Sequence, residues 1–169
     1  MRRMIFPAVG VTVLACAGVA LAAATQSGQA GPAGSGRQQT IKVFTSTVQS
    51  ALVDLGAPGF SLGDQIIFTD NVLTRRNGAK LGIDGGVCSV VRVADAKSFS
   101  GTLQCVVTFS LRGSDITVQE FYSEAHAQLR GSHVAAITGG TGRFRAARGQ
   151  ATVTFLSNDA ANVRFSITP

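Results

Sequence analysis

Glu120 and Tyr122 stand two residues apart in the run Ile116-Thr117-Val118-Gln119-Glu120-Phe121-Tyr122. Side chains two apart share one face of a β-strand, so Ile116, Val118, Glu120 and Tyr122 project the same way. A carboxylic acid on such an apolar face has its charged form disfavoured. Its pKa rises and it becomes a general acid. The same spacing also allows a bulge that turns Glu120 to solvent, or a pairing with an arginine. Cys88 and Cys105 offer a second chemistry. They lie in strand-like runs at 87–93 and 102–111, joined by a polar turn at 95–101. If that turn centres near Lys97, the two cysteines face each other across an antiparallel pair. They are then close enough to bridge where the pair is not hydrogen-bonded. A cross-strand disulfide is expected. Two buried free thiols are the alternative, and the spacing excludes a metal site of the Cys-x-x-Cys type.

Other chemistries are missing their residues. Gly139-Gly140-Thr141-Gly142 lacks the Lys-Ser/Thr of a phosphate-binding loop and has no helix to open. His126 and His133 have no zinc spacing, so no metal is expected. No Gly-x-Ser-x-Gly elbow is present.

The elements that must position these residues are strands. From Thr102 to Arg112, Leu103, Cys105, Val107, Phe109 and Leu111 alternate with Gln104, Thr108, Ser110 and Arg112. That is a strand with one buried face. The pattern repeats at 150–155 and 162–167, and further strands are expected at 40–49, 63–74, 81–94, 115–125 and 133–139. The total is about eight short strands with turn residues between them and no amphipathic helix. Eight antiparallel strands can close into a barrel, which removes exposed edges and leaves an interior that side chains fill or one small ligand occupies. A two-sheet sandwich fits the pattern alone as well.

The 169 residues suit one domain at 39–169. Hydrophobic residues make up 45% and charged residues 14%, enough to bury a core and too little charge for disorder. The start reads as a signal peptide over 1–24: Arg2-Arg3, an apolar stretch from Met4, and small residues at Ala20, Ala22 and Ala24. A retained anchor is one alternative, and lipidation at Cys16 is another. Residues 25–38 are a Gly/Ser/Ala linker by composition. Export to an extracellular, oxidising compartment suits a disulfide. Loss of the two leader arginines lowers the net charge from +6 to +4. The basic residues are scattered and not interleaved with stacking aromatics, which argues against a nucleic-acid partner. No stable membrane span is expected after processing.

Four segments carry a family resemblance: Leu62 to Asp70, Gly82 to Cys88, Thr117 to Tyr122 and Ala136 to Gly142. In that order and spacing they resemble allene oxide cyclases and their relatives, the dirigent proteins. The resemblance implies an all-β, eight-stranded antiparallel barrel whose lumen binds a small apolar molecule, with no metal or organic cofactor. In plant allene oxide cyclases the barrel shapes a fatty-acid epoxide for ring closure. By the same resemblance Ile67-Phe68-Thr69-Asp70 puts Phe68 at a lining aromatic position and Asp70 at a polar one. Cys88 falls on a cavity cysteine and Tyr122 on a cavity tyrosine, while Phe109 and Val118 belong to the inward strand faces. Plant relatives form trimers, which implies a homo-oligomer.

The chain departs from the cyclases at its first strand. Ile41 to Thr47 contains no acid where the family supplies a glutamate, and Glu120 stands as a replacement. Gly139 to Gly149 resembles the dirigent segment closely. That relation implies a guiding role for Asp70 with Arg145 or Arg148, unless the glycines only make a corner and the arginines are solvated. The sequence therefore supports a secreted cofactor-free isomerase or cyclase with Glu120, Tyr122 and Asp70 as catalytic groups. The alternatives are a non-catalytic dirigent-like guide and a solid envelope barrel.

Overall fold

The computed structural model describes residues 38–124 and 131–168. The expected signal peptide at 1–24, nearly all of the expected linker at 25–38, and His126 lie outside them. Eight strands follow in order: β1 (Gln39–Val53), β2 (Gln65–Leu73), β3 (Lys80–Asp95), β4 (Ser100–Leu111), β5 (Ser114–Glu124), β6 (Gly131–Gly140), β7 (Arg148–Ser157) and β8 (Ala160–Thr168). Each pairs antiparallel with the next, and β8 pairs back to β1, closing the barrel. The sandwich alternative is thereby removed. A single 3-10 turn, Gly142–Phe144, links β6 to β7.

The strands differ from the sequence expectation mainly in β1, which runs on to Val53. A bulge between Thr47 and Gln49 explains why this was hidden. The extra residue, Val48, is pushed to the outside, so the inward set changes from Thr45 and Thr47 to Ser50 and Leu52. One added residue shifts a period-two pattern by half a period, and the alternation is lost to the eye. The β3–β4 turn is tighter than 95–101. The Asp95 carboxylate caps it, accepting from the Lys97 backbone N–H at 3.0 Å and the Ser98 hydroxyl at 2.8 Å.

Inward residues fill one end of the barrel and line a cavity at the other. In the filled end Phe109 and Phe165 meet edge to face with centroids 5.0 Å apart. Val72, Leu111, Ile116 and Ile137 pack around them. Burying each such side chain is worth roughly 1.5–3 kcal/mol. Phe144 and Ala147, from the 3-10 turn and the residues after it, close this end. Thr141 fixes that corner: its hydroxyl accepts from the Asp115 N–H at 3.0 Å, and its N–H donates to the Asp115 carbonyl at 2.9 Å.

Opposite, residues 54–64 form the β1–β2 loop around Asp64, which is 1% exposed. Its carboxylate accepts from the backbone N–H groups of Leu55 at 2.8 Å and Ser61 at 2.7 Å. These bonds hold its pKa below the ordinary carboxylate range. The loop is thereby tied to β3, where the Val90 N–H donates to the Asp64 carbonyl at 2.8 Å. Phe60 is carried to the rim, 5.9 Å from the Phe99 ring.

Candidate functional site

Strand register sets the inward side chains in oblique rows. The deepest runs Thr47, Asp70, Asp84, Phe109. The next runs Ser50, Phe68, Gly86, Val107, Val118. Above it come Leu52, Ile66, Cys88, Cys105 and Glu120, then Val90, Leu103 and Tyr122. The rows surround a cavity of about 520 Å³, within the size range of small-molecule sites. Its mouth lies among Phe60, Phe99, Asn158 and Asp159.

Eight of the residues singled out from the sequence line this cavity: Phe68, Asp70, Cys88, Cys105, Phe109, Val118, Glu120 and Tyr122. Phe68 has room because Gly86 faces it across the β2–β3 ladder. A Cβ on Gly86 would come within 2.9 Å of the Phe68 ring and 2.8 Å of the Val106 carbonyl. Cys88 and Cys105 are bonded, with Cα atoms 4.0 Å apart. Cys88 therefore meets the cavity as half of a disulfide between Ile66 and Glu120, not as a thiol.

Tyr122 is 4% exposed, and its ring packs edge-on against His133 with centroids 4.0 Å apart. Phe155 lies behind it at 6.2 Å. Sequence reading tested His133 only as a zinc ligand. The signal that finds it is register: Val118 pairs with Ile137 and Gln119 with Ala136, and the same count sets Tyr122 opposite His133.

Asp84 is the larger omission. It pairs directly with Asp70 across β2 and β3 and is 2% exposed, against 8% for Asp70. Counting inward from Cys88 through Gly86 by twos reaches it, so alternation alone would have found it. Burial drives its pKa up to about 8, and the charge of Asp70 adds to the shift. Burial also raises Asp70, against a hydrogen bond from the Thr47 hydroxyl that favours its ionised form. The two carboxyls hydrogen-bond one another. Asp84, more buried, holds the proton, and Asp70 is the ionised member. Glu120 is raised by burial as well. One oxygen on each of Asp70, Asp84 and Glu120 is buried without a hydrogen-bond partner. Among the described residues, no cluster of three or more His, Cys, Asp or Glu is arranged to hold a metal ion.

Arg145 and Arg148 do not line the cavity. They are exposed at the closed end, where the Arg148 guanidinium donates to the Ala147 carbonyl at 2.9 Å. The dirigent-like segment makes the closing corner, and that corner carries its arginines away from the mouth.

The family model described as allene oxide cyclase barrel like domain matches residues 44–167. The chain belongs to this family. Among solved structures, this allene oxide cyclase-like barrel is similar to a pyocyanin demethylase, at 26% identity and a TM-score of 0.66. That match covers 77% of this chain and 100% of the other. A pterocarpan synthase dirigent protein shares the fold at 22% identity and a TM-score of 0.54, over 85% of this chain and 96% of its own. So does a Diels Alderase from Streptomyces koyangensis, at 13% identity and a TM-score of 0.60, over 80% and 72% of the two chains. No curated protein matches the sequence.

Proposed function

We propose that the cavity binds one small, largely apolar molecule and isomerises it by proton transfer between positioned carboxyls. The observation that carries this reading is the placement of Glu120, Asp70 and Asp84 on the wall of an otherwise apolar space, each with an oxygen left for a ligand. Phe68, Phe109 and Val118 restrain the bound conformers, and restraint of reacting atoms can supply much of a barrier reduction. Glu120, its pKa raised by burial, donates a proton to a substrate oxygen or nitrogen. Asp70, ionised beside Asp84, takes a proton from another position on the same molecule. One proton enters and one leaves, so the product is an isomer of the substrate. Tyr122, held by His133, fixes the substrate's polar end.

A solid envelope barrel would have large side chains where this cavity lies. The likeness to pyocyanin demethylase supports a small-molecule substrate. The disulfide supports action in an oxidising compartment, as the leader-like start of the chain also implies.

The test begins with native mass spectrometry of the purified barrel, followed by identification of whatever small molecule it retains. Conversion of that molecule is then measured in wild type, Glu120→Gln and Asp70→Asn. The expected loss is about 100-fold or more in kcat for each variant, with the fold intact by circular dichroism. Conversion at the wild-type rate in both variants rejects the assigned roles.

A further inference from the structure

The charge of the cavity is opposite to that of the chain. The net charge is +6, with 15 basic residues against 9 acidic ones. Yet six of those nine acids line the cavity: Asp54, Asp64, Asp70, Asp84, Glu120 and Asp159. Among the described residues no lysine or arginine does. Asp64 is already used by the β1–β2 loop, and Asp54 accepts from the Gly59 N–H at 3.2 Å. Asp70, Asp84 and Glu120 are different. Their unpartnered oxygens sit on the wall of an empty space, and an unpaired buried acceptor is unfavourable by a few kcal/mol. A fold of 169 residues with so few acids has concentrated them where a ligand sits.

We infer that the cavity is built for an organic cation of aromatic shape, seated with its charge against the Asp70–Asp84 pair. This deepens the proposed function and rests on the cavity being the binding site. The walls supply the rest of the recognition. Rings from Phe60, Phe68, Phe99, Phe109, Tyr122 and Phe155 line the space, and aromatic faces attract cations as well as flat apolar surfaces. A fatty-acid carboxylate would find like charge and no basic partner. A cation also suits the chemistry, because a proton leaves a positively charged molecule more readily than a neutral one.

Acid–base linkage gives this inference a measurable signature. Thr47 of β1 hydrogen-bonds Asp70 and the charge of Asp159 from the β7–β8 turn acts on it; the other titratable groups on the cavity lining are Glu120 and Tyr122 of β5 and Asp54 and Asp64 of the β1–β2 loop. His133 of β6 reaches it only through Tyr122. The lining residues of β4, β7 and β8 are apolar or disulfide-bonded. Asp84 is protonated when the cavity is empty at neutral pH. A bound cation favours its ionised form and expels the proton, so affinity for a cation must rise with pH. A neutral ligand that accepts the carboxyl proton must show the reverse.

Three probes of one shape separate the cases: 1-methylquinolinium, 1-methylnaphthalene and 1-naphthoate, carrying positive, zero and negative charge. Binding to the wild-type barrel is measured by isothermal titration calorimetry at about pH 6 and about pH 9. The expected result is 1-methylquinolinium tightest at the higher pH, with affinity at least about tenfold above its value at the lower pH. In Asp84→Asn the ratio of 1-methylquinolinium to 1-methylnaphthalene affinity should fall at least about tenfold. Equal binding of the cationic and neutral probes, a cation affinity flat with pH, or preference for 1-naphthoate overturns the charge inference while leaving the cavity reading standing. Failure of all three probes to bind overturns both.

Discussion

Asp84 and Asp70 face each other where two strands would normally set apolar side chains, and that placement makes stability depend on pH in an unusual direction. An aspartate whose pKa is raised on folding binds its proton more tightly in the native state than in the unfolded chain. Stability is then full below the unfolded value near 4 and declines as pH climbs through the folded value of about 8. The empty barrel should therefore lose on the order of a few kcal/mol between about pH 5 and pH 9 through this residue. Asp84→Asn, which carries no charge to bury, should flatten the profile, as read from urea midpoints across that range. A mutant profile as steep as wild type would show that other groups govern it. Residues of this kind were unevenly legible in the sequence. Tyr122 and Asp70 could be read from resemblance, and Glu120 from its spacing to Tyr122. Asp84 was open to the same alternation but sits between Ile83 and two glycines, where no apolar run draws attention to it. His133 could be found only from the pairing of β5 with β6, which the sequence does not state.

Strand faces were legible wherever alternation is unbroken, as in β4, β7 and β8. They were obscured in β1, where the bulge at Val48 shifts the pattern. The cysteine pairing followed from hairpin register, and the β3–β4 ladder sets Cys88 opposite Cys105 as expected. The bridge closes a separation of 17 residues, which in the chain-entropy description is worth about 3 kcal/mol. Reduction should lower the urea midpoint accordingly and leave the barrel folded, because the ladder alone holds the register. Alkylation of denatured, unreduced protein should label neither cysteine, and labelling of both would remove the bond. Gly86 is the other element-scale device. Gly86→Val sets a side chain against Phe68 and the Val106 carbonyl, and should cost about 1–3 kcal/mol by overpacking. It should also displace the Phe68 ring into the cavity and weaken ligand binding by calorimetry. Unchanged affinity would mean that Phe68 is not a wall of the binding site.

For the whole molecule, strand count and resemblance were enough to point to a barrel, but not to show that one end of its interior holds a cavity. That depends on which inward positions carry large side chains at the same height, and strand stagger decides it. The composition supplies its own probe of this space. Tyr122 is the single tyrosine, and the chain has no tryptophan, so ultraviolet-excited protein emission comes almost wholly from one ring on the cavity wall. A ligand that enters should alter that emission with the same midpoint found by calorimetry, and Tyr122→Phe should abolish the signal. Closure of the far end by Phe144 and Ala147 has a further consequence for traffic. The vessel is a flask with a neck, so whatever forms inside must back out by the route its precursor took. Spent product and fresh substrate then contend for one berth. Steady-state kinetics should show product inhibition that added substrate fully relieves.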